Sequence, residues 1–228
     1  MKFKTLLFDV DDTLLDFQLT EKKALRALFQ EEEILLTDEI EATYKKINHR
    51  LWREFEQGKT TKQIVTDTRF SLLFEQYGKK VDGKVMGEKY RYHLSQGHDL
   101  LGNSKEIITR LRPDYELYIV TNGVAKTQYQ RLNDSQLTTF FDDIFVSEEV
   151  GFQKPMKEYF DYVFDRIPNF EREKTMIIGD SLASDIQGGN AAEIQTLWLN
   201  PEKQQTDGTV KPTYEISRLD DIFTILDE

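Results

Sequence analysis

Two hydrophobic periodicities divide this chain into three stretches. Leu6-Leu7-Phe8, within Thr5 to Asp9, is a short apolar run that stops at a carboxylate, as a buried strand does. From residue 17 to 97 the period lengthens, and Ile40, Tyr44, Ile47, Leu51 and Phe55 recur at steps of four and three, tracing one face of a helix. Thr37-Asp38-Glu39-Ile40 is placed to cap its start, and Gly58 lies beyond its end. Ala24, Leu25, Leu28 and Phe29 form a shorter stripe before it. Ile64, Val65, Leu72, Leu73 and Tyr77 form another after it, stopped by Gly78, and Met86, Tyr90 and Leu94 suggest a fourth. No convincing strand falls in this stretch.

Strands and helices then alternate. Leu117-Tyr118-Ile119-Val120 runs into Thr121-Asn122-Gly123 and a polar helix to about Gln136. Ile144-Phe145-Val146 leads to a loop holding Lys154-Pro155, and Tyr159, Phe160, Val163, Phe164 and Ile167 mark an amphipathic helix. Thr175-Met176-Ile177-Ile178 stops at Gly179-Asp180-Ser181. A helix with Ile186 precedes the strand Gln195 to Leu199, and the polar stretch from Pro201 to Pro212 reads as a loop before a last short strand and helix. Apolar strands separated by helices imply a parallel sheet covered on both faces. The expected architecture is an α/β, doubly wound core built from residues 1–16 and 98–228, interrupted by an α-helical domain at 17–97.

At 228 residues the chain can bury a sizeable core. The formal charge of -11 argues against a nucleic-acid polymer as partner, because backbone binding needs clustered Lys and Arg. The absence of cysteine removes disulfides, thiolate metal sites and a thiol nucleophile. The opening apolar run is too short for a signal peptide and no stretch approaches a membrane span, so the expectation is a cytoplasmic protein with no membrane partner, as a monomer or weak homodimer.

Polar groups fall where the strands should end. The first strand gives Asp9 and Asp11, the second Thr121 and Asn122, the fourth Asp180 and then Asp185, with Lys154 in the loop after the third. In open α/β sheets that rim is where ligands bind. Taken singly, Lys154 would be a surface lysine, Thr121 a strand-end hydroxyl, Asp180 an N-cap and Asp185 a surface charge; their joint placement is what points to a site. Asp12 and Asp16 read as loop carboxylates, and His49, His93 and His98 share no ligand spacing and read as structural. The aromatic residues of the helical stretch read mostly as core, with Trp52 or Phe55 as candidates to face a substrate.

With these residues in view, the whole chain resembles the haloacid dehalogenase superfamily, on its phosphatase side. Asp9-Val10-Asp11-Asp12-Thr13-Leu14 matches the first motif of that family, Thr121-Asn122-Gly123 the second, Lys154-Pro155 the third, and Gly179-Asp180-Ser181 with Asp185 the fourth. The resemblance implies a Rossmann-like core and a helical cap inserted after the first motif. It also implies Asp9 as nucleophile, Asp11 as general acid/base and Lys154 as a catalytic cation. Thr121, Asn122 and Lys154 would bind phosphate beside Asp9, and a magnesium site would draw on Asp9, the Asp11 carbonyl, Asp180 and Asp185.

The residue types suit that chemistry. A carboxylate is ionised at neutral pH, its ordinary pKa being about 3.9, and needs no base before attacking phosphorus. Asp11 could protonate the leaving group and then deprotonate water. Unit charges about 4 Å apart repel by roughly 4 kcal/mol at an effective dielectric of 20, so the crowded carboxylates call for a hard cation, for which magnesium is the fit. Asp11 weakens a dehalogenase reading, since carbon–halogen cleavage needs no leaving-group acid there. The segment Asp12 to Phe17, the short cap and the tail resemble nucleoside 5′-monophosphatases acting on pyrimidine nucleotides. The expected partner is therefore a small phosphorylated metabolite, a nucleoside monophosphate. Sugar phosphates and phosphoglycolate are the nearest competitors, and a catalytically idle sensor of a phosphorylated metabolite is the alternative of another class. The cap is expected to close over bound substrate and exclude water.

Overall fold

The computed structural model describes residues 2–206 and 208–227. In chain order its elements are β1 (Thr5–Phe8), α1 (Phe17–Glu31), α2 (Asp38–Glu56), α3 (Lys62–Glu75), α4 (Gly83–Ser95), α5 (Ser104–Leu111), β2 (Glu116–Thr121), α6 (Ala125–Asp134), β3 (Asp143–Val146), α7 (Ser147–Val150), α8 (Lys157–Phe164), β4 (Thr175–Gly179), α9 (Gln187–Ala191), β5 (Gln195–Leu199), β6 (Tyr214–Ile216) and α10 (Ile222–Leu226). They divide between two compact units, residues 1–17 with 98–228, and residues 18–97. Among the described residues no helix is long and apolar enough to cross a membrane.

The first unit is an α/β fold around a sheet ordered β3-β2-β1-β4-β5-β6, parallel throughout. Its central strands are apolar in both directions because both faces are covered. Leu6, Phe8, Leu117, Ile119, Met176, Ile178 and Leu197 pack with Ile107, Ile108 and Leu111 of α5, Leu132 of α6 and Ile222 of α10. Leu7, Tyr118, Val120, Phe145 and Ile177 pack on the other side with Tyr159, Phe160, Val163 and Phe164 of α8. Register then positions the chemistry. Phe8 is level with Ile119 of β2 and with Ile178 of β4. Asp9, Thr121 and Asp180 consequently leave neighbouring strands within two residues of a common level, at the carboxyl ends.

The second unit comprises α1 from Gln18 onward with α2, α3 and α4. The Thr37 hydroxyl accepts from the Ile40 amide and caps α2, Thr61 caps α3 through the Ile64 amide, and Asp82 caps α4 through Lys84 and Val85. Such caps are each worth about 0.5–2 kcal/mol. Tyr44 stacks on Phe70 and Phe29 on Phe74, giving the unit an aromatic interior. Phe55 is buried and Trp52 half-buried, edge-on to it.

On one helix the inward face is only partly the expected one, with Val65 and Leu73 buried as expected. On α3 the buried positions are Val65, Thr66, Arg69, Phe70, Leu73 and Phe74, while Ile64 is 47% exposed and Leu72 only half-buried; Tyr77 lies beyond the helix end. Phe70 and Phe74 complete that face, and Arg69 shares its inner side. Its guanidinium donates to Asn48 (3.2 Å), Asn48 donates to the buried Glu21 (3.1 Å), and the guanidinium stacks 4.5 Å from the Tyr90 ring centre. A buried charge that is hydrogen-bonded and stacked, with a carboxylate one amide away, is tolerated where a lone one is not.

Candidate active site

The loop after β1 is folded tightly on its own backbone. The amides of Thr13, Leu14 and Leu15 all donate to the Val10 carbonyl, at 3.3, 2.9 and 2.9 Å. Asp12 turns the chain at φ 55, a left-handed conformation that Asp tolerates better than most residues, and its carboxylate accepts from the Phe17 amide at 3.0 Å. Val10 is fully buried between Asp9 and Asp11, so the two acids leave the strand on the side away from the core. Asp9 itself is only 8% exposed, and its amide is tied to Ile178 of β4 at 2.9 Å.

Lys154 is buried at the centre of the site. Its ammonium donates to Asp9 Oδ1 (2.6 Å), Asp185 Oδ1 (2.6 Å) and the Val120 carbonyl (2.8 Å). An ammonium has three protons, and these three partners account for all of them. Lys154 therefore neutralises the acids around it. The Asn122 side chain holds this loop: Nδ2 donates to the Lys154 carbonyl and Oδ1 accepts from the Lys154 amide, both at 2.9 Å. What Asn122 can offer an anion is consequently its main-chain amide. The Lys154–Pro155 peptide is cis. Thr121 Oγ1 accepts from the Gly123 amide (3.1 Å) and from Gln128 Nε2 (2.9 Å), which leaves its own proton to donate.

The Asp180 carbonyl accepts from the Trp198 indole at 2.8 Å, and Asp180 is half-buried. Asp185 is fully buried within a π-helical turn at Leu182–Ile186, with Oδ2 accepting from the Ser181 amide at 3.1 Å. Gly179 is required beside it, because a Cβ at that position would lie 2.2 Å from Asp185 Oδ2. Asp9, Asp180 and Asp185 each present an oxygen within 4.8 Å of the others, and they form the one such group of potential metal ligands among the described residues. None of the three histidines joins it. The Asp11 carboxylate also lies outside it, accepting from Arg131 Nη1 (2.5 Å) and Gln128 Nε2 (2.9 Å).

Crowding shifts these acids. Burial, helped by Asp185 and Asp11 and opposed by Lys154, pushes the Asp9 carboxyl from its ordinary 3.8 up to about 7. Burial and the neighbouring Asp9 and Asp185 hold Asp180 well above the carboxylate range. Burial opposes the charge on Lys154, but Asp185 and Asp9 overcome it and keep the ammonium above its ordinary value. The sign for stability follows. Between pH 4 and 7 the folded protein retains a proton on Asp9 that the unfolded chain has lost, so the stability contributed at low pH declines as pH rises to about 7. Without divalent cation, wild type should lose stability relative to Asp9→Asn between pH 4 and 7, by an amount on the order of a few kcal/mol. Urea unfolding of both proteins across that range checks this, and parallel stability curves would contradict it.

Gln128, Arg131 and Trp198 escape the sequence reading as site residues. The signal for the first two lies in α6, where Gln128 and Arg131 share the buried face with Leu132 and Thr127 in a helix that otherwise reads as polar.

Comparison with known proteins places this geometry. Residues 6–199 match the haloacid dehalogenase-like hydrolase family. The chain is 53% identical over 225 residues to a Bacillus subtilis protein named as a HAD-hydrolase, YfnB, spanning 99% of this chain and 96% of the relative. A crystal structure of that protein, described as bound to magnesium and as revealing interdomain movement, superposes with a TM-score of 0.96 at 53% identity, covering 100% of both chains. The pyrimidine 5′-nucleotidase PynA of Streptococcus pneumoniae is 38% identical over 229 residues, 100% of this chain and 97% of the relative. The pyrimidine 5′-nucleotidase YjjG of Escherichia coli is 29% identical over 226 residues, 99% of each. With the parallel sheet, the acids at its carboxyl rim and relatives matched from end to end, this chain belongs to the haloacid dehalogenase-like hydrolase family.

Proposed function

We propose that the protein is a magnesium-dependent phosphatase of small phosphate monoesters, acting through an aspartyl-phosphate on Asp9, with nucleoside 5′-monophosphates as its substrates. The observation that carries the reading is the group of Asp9, Asp180 and Asp185, whose oxygens lie within 4.8 Å of one another, with the Lys154 ammonium paired to Asp9 and Asp185. Three carboxylates against one lysine leave a local excess of negative charge, and an all-oxygen donor set suits a hard divalent cation. Asp9, Asp180 and the Asp11 carbonyl would hold the ion, with the charge of Asp185 beside them. When bound it supplies the neutralisation that a transferring phosphoryl group requires. The nucleotide specificity draws on the two relatives named as pyrimidine 5′-nucleotidases.

The chain's own groups have separable tasks. Lys154 occupies Asp9 Oδ1, and Oδ2 has no hydrogen bond among the described residues, so it is the atom free to attack. Asp9 Oδ2 bonds to phosphorus as the phosphorus–oxygen bond to the leaving group breaks, and Asp11 gives the departing alkoxide its proton. Water then attacks phosphorus, Asp11 takes a proton from it, and the Asp9 carboxylate departs as inorganic phosphate is freed. The Thr121 hydroxyl and the Asn122 amide are placed to hold phosphoryl oxygens through these steps.

A panel of nucleoside 5′-monophosphates, sugar phosphates, phosphoglycolate and p-nitrophenyl phosphate tests the reading by phosphate release, with magnesium and with a chelator. The expected result is release that falls at least about 100-fold on chelation and is fastest with pyrimidine nucleotides. Release indifferent to the chelator, or none from any ester, would overturn it.

A further inference from the structure

We propose that Arg131 and Gln128 are positioning residues that clamp Asp11 for proton transfer, an inference that rests on the phosphatase reading above. Arg131 is a large, fully buried cation whose Nη1 donates both to Asp11 Oδ1 (2.5 Å) and to Gln128 Oε1 (2.9 Å). That second bond fixes which way the Gln128 amide faces. Its Nε2 then donates to Asp11 Oδ2 and to Thr121 Oγ1, each at 2.9 Å. Both oxygens of the Asp11 carboxylate are thus engaged by separate donors, and a carboxylate gripped at both ends cannot rotate about its own axis.

The supports are themselves buried. The Arg131 side chain is 1% exposed, whereas that of Asp11 is 30% exposed, so the grip comes from inside the protein and leaves the acid facing outward. The Phe17 ring lies 5.8 Å from the guanidinium. Gly123 leaves room for Gln128, since a Cβ there would fall 2.5 Å from the Gln128 side chain. The second motif of the site is thereby coupled to the first: the Gln128 amide that orients the acid also bonds the hydroxyl that is placed for the phosphoryl group. Holding a reacting group in one geometry before substrate arrives removes that ordering cost from the barrier.

A plain structural ion pair pinning the loop to α6 would use the same contacts, so the test must separate the two. Steady-state release of phosphate from p-nitrophenyl phosphate with saturating magnesium is measured for wild type, Arg131→Met, Gln128→Met, Asp11→Asn and the corresponding double variants. If Arg131 and Gln128 act through Asp11, each single variant loses about 10- to 100-fold in kcat with KM within about twofold. In the Asp11→Asn background the same changes then alter kcat by less than about twofold, because the group they position is gone. Unchanged kcat in folded Arg131→Met and Gln128→Met overturns the inference, and so does an equal loss in both backgrounds, which is the mark of a structural role. Should Arg131→Met fail to fold, Gln128→Met decides alone by the same criteria. A wild type without magnesium-dependent turnover sinks the phosphatase reading and this inference with it; an active wild type with indifferent variants sinks the inference alone.

Discussion

Asp9→Asn is expected to abolish turnover, by about 10⁴-fold or more, while the protein stays folded. The amide has nearly the shape of the carboxylate but cannot form the acyl-phosphate bond, so no second route restores the first step. Folding should survive because Lys154 keeps two of its three partners, Asp185 and the Val120 carbonyl. Wild-type Asp9 is moreover a group whose ionisation burial opposes, with its pKa pushed up to about 7. The variant should therefore unfold at a higher midpoint than wild type when no divalent cation is present at pH 7.5. Phosphate release and thermal unfolding on the same preparations check both halves. Turnover within about 100-fold of wild type would remove Asp9 as nucleophile.

Lys154→Met is the second large effect, and it acts on stability as well as activity. Methionine preserves the apolar stem but withdraws the one ammonium that lies between Asp9 Oδ1 and Asp185 Oδ1, each 2.6 Å from it. Both the lysine and Asp185 side chains are 1% exposed, so water cannot replace the lost charge. Stranding a buried partner in this way costs about 3–5 kcal/mol. The loss should be largest at pH 7.5 without metal. It should shrink toward pH 5, where a proton on Asp9 relieves part of the repulsion. Urea unfolding at the two pH values measures it. A loss below about 1 kcal/mol at both would mean that the acids are compensated by something other than Lys154.

What could be read from the sequence had a physical pattern behind it. α2 at Asp38–Glu56 announces itself because its apolar residues repeat at helical spacing behind a cap residue, and β5 at Gln195–Leu199 because it ends in a continuous apolar run closed by Asn200-Pro201. The acids and the lysine of the site are visible because each follows a strand, and a strand end is easy to find. The residues that support them are hidden. Gln128 and Arg131 lie mid-helix, where polar side chains normally face water, and nothing local says that these two are buried. Arg69 of α3 is hidden in the same way, a charged residue type that is buried in the structure. α5, Ser104–Leu111, went unmarked although Ile107, Ile108 and Leu111 form its buried face. The turn carrying Asp185 is π-helical where a regular helix was expected, because Gly179 and Ser181 draw the carboxylate back onto the strand end.

The place of β1 in the sheet bears on how the molecule comes into being. It leaves the ribosome well before its neighbours in the sheet, since β2 and β4 start at residues 116 and 175. At translation rates of about 5–20 residues per second, Leu6-Leu7-Phe8 waits roughly 5–20 s for even one flanking strand. During that interval a stretch destined for complete burial has no native lateral partner. Asp9 is thus synthesised well before the strands that flank it, and the nascent chain depends on brevity, with only Thr5–Phe8 forming the strand, to limit how much sticky surface it shows.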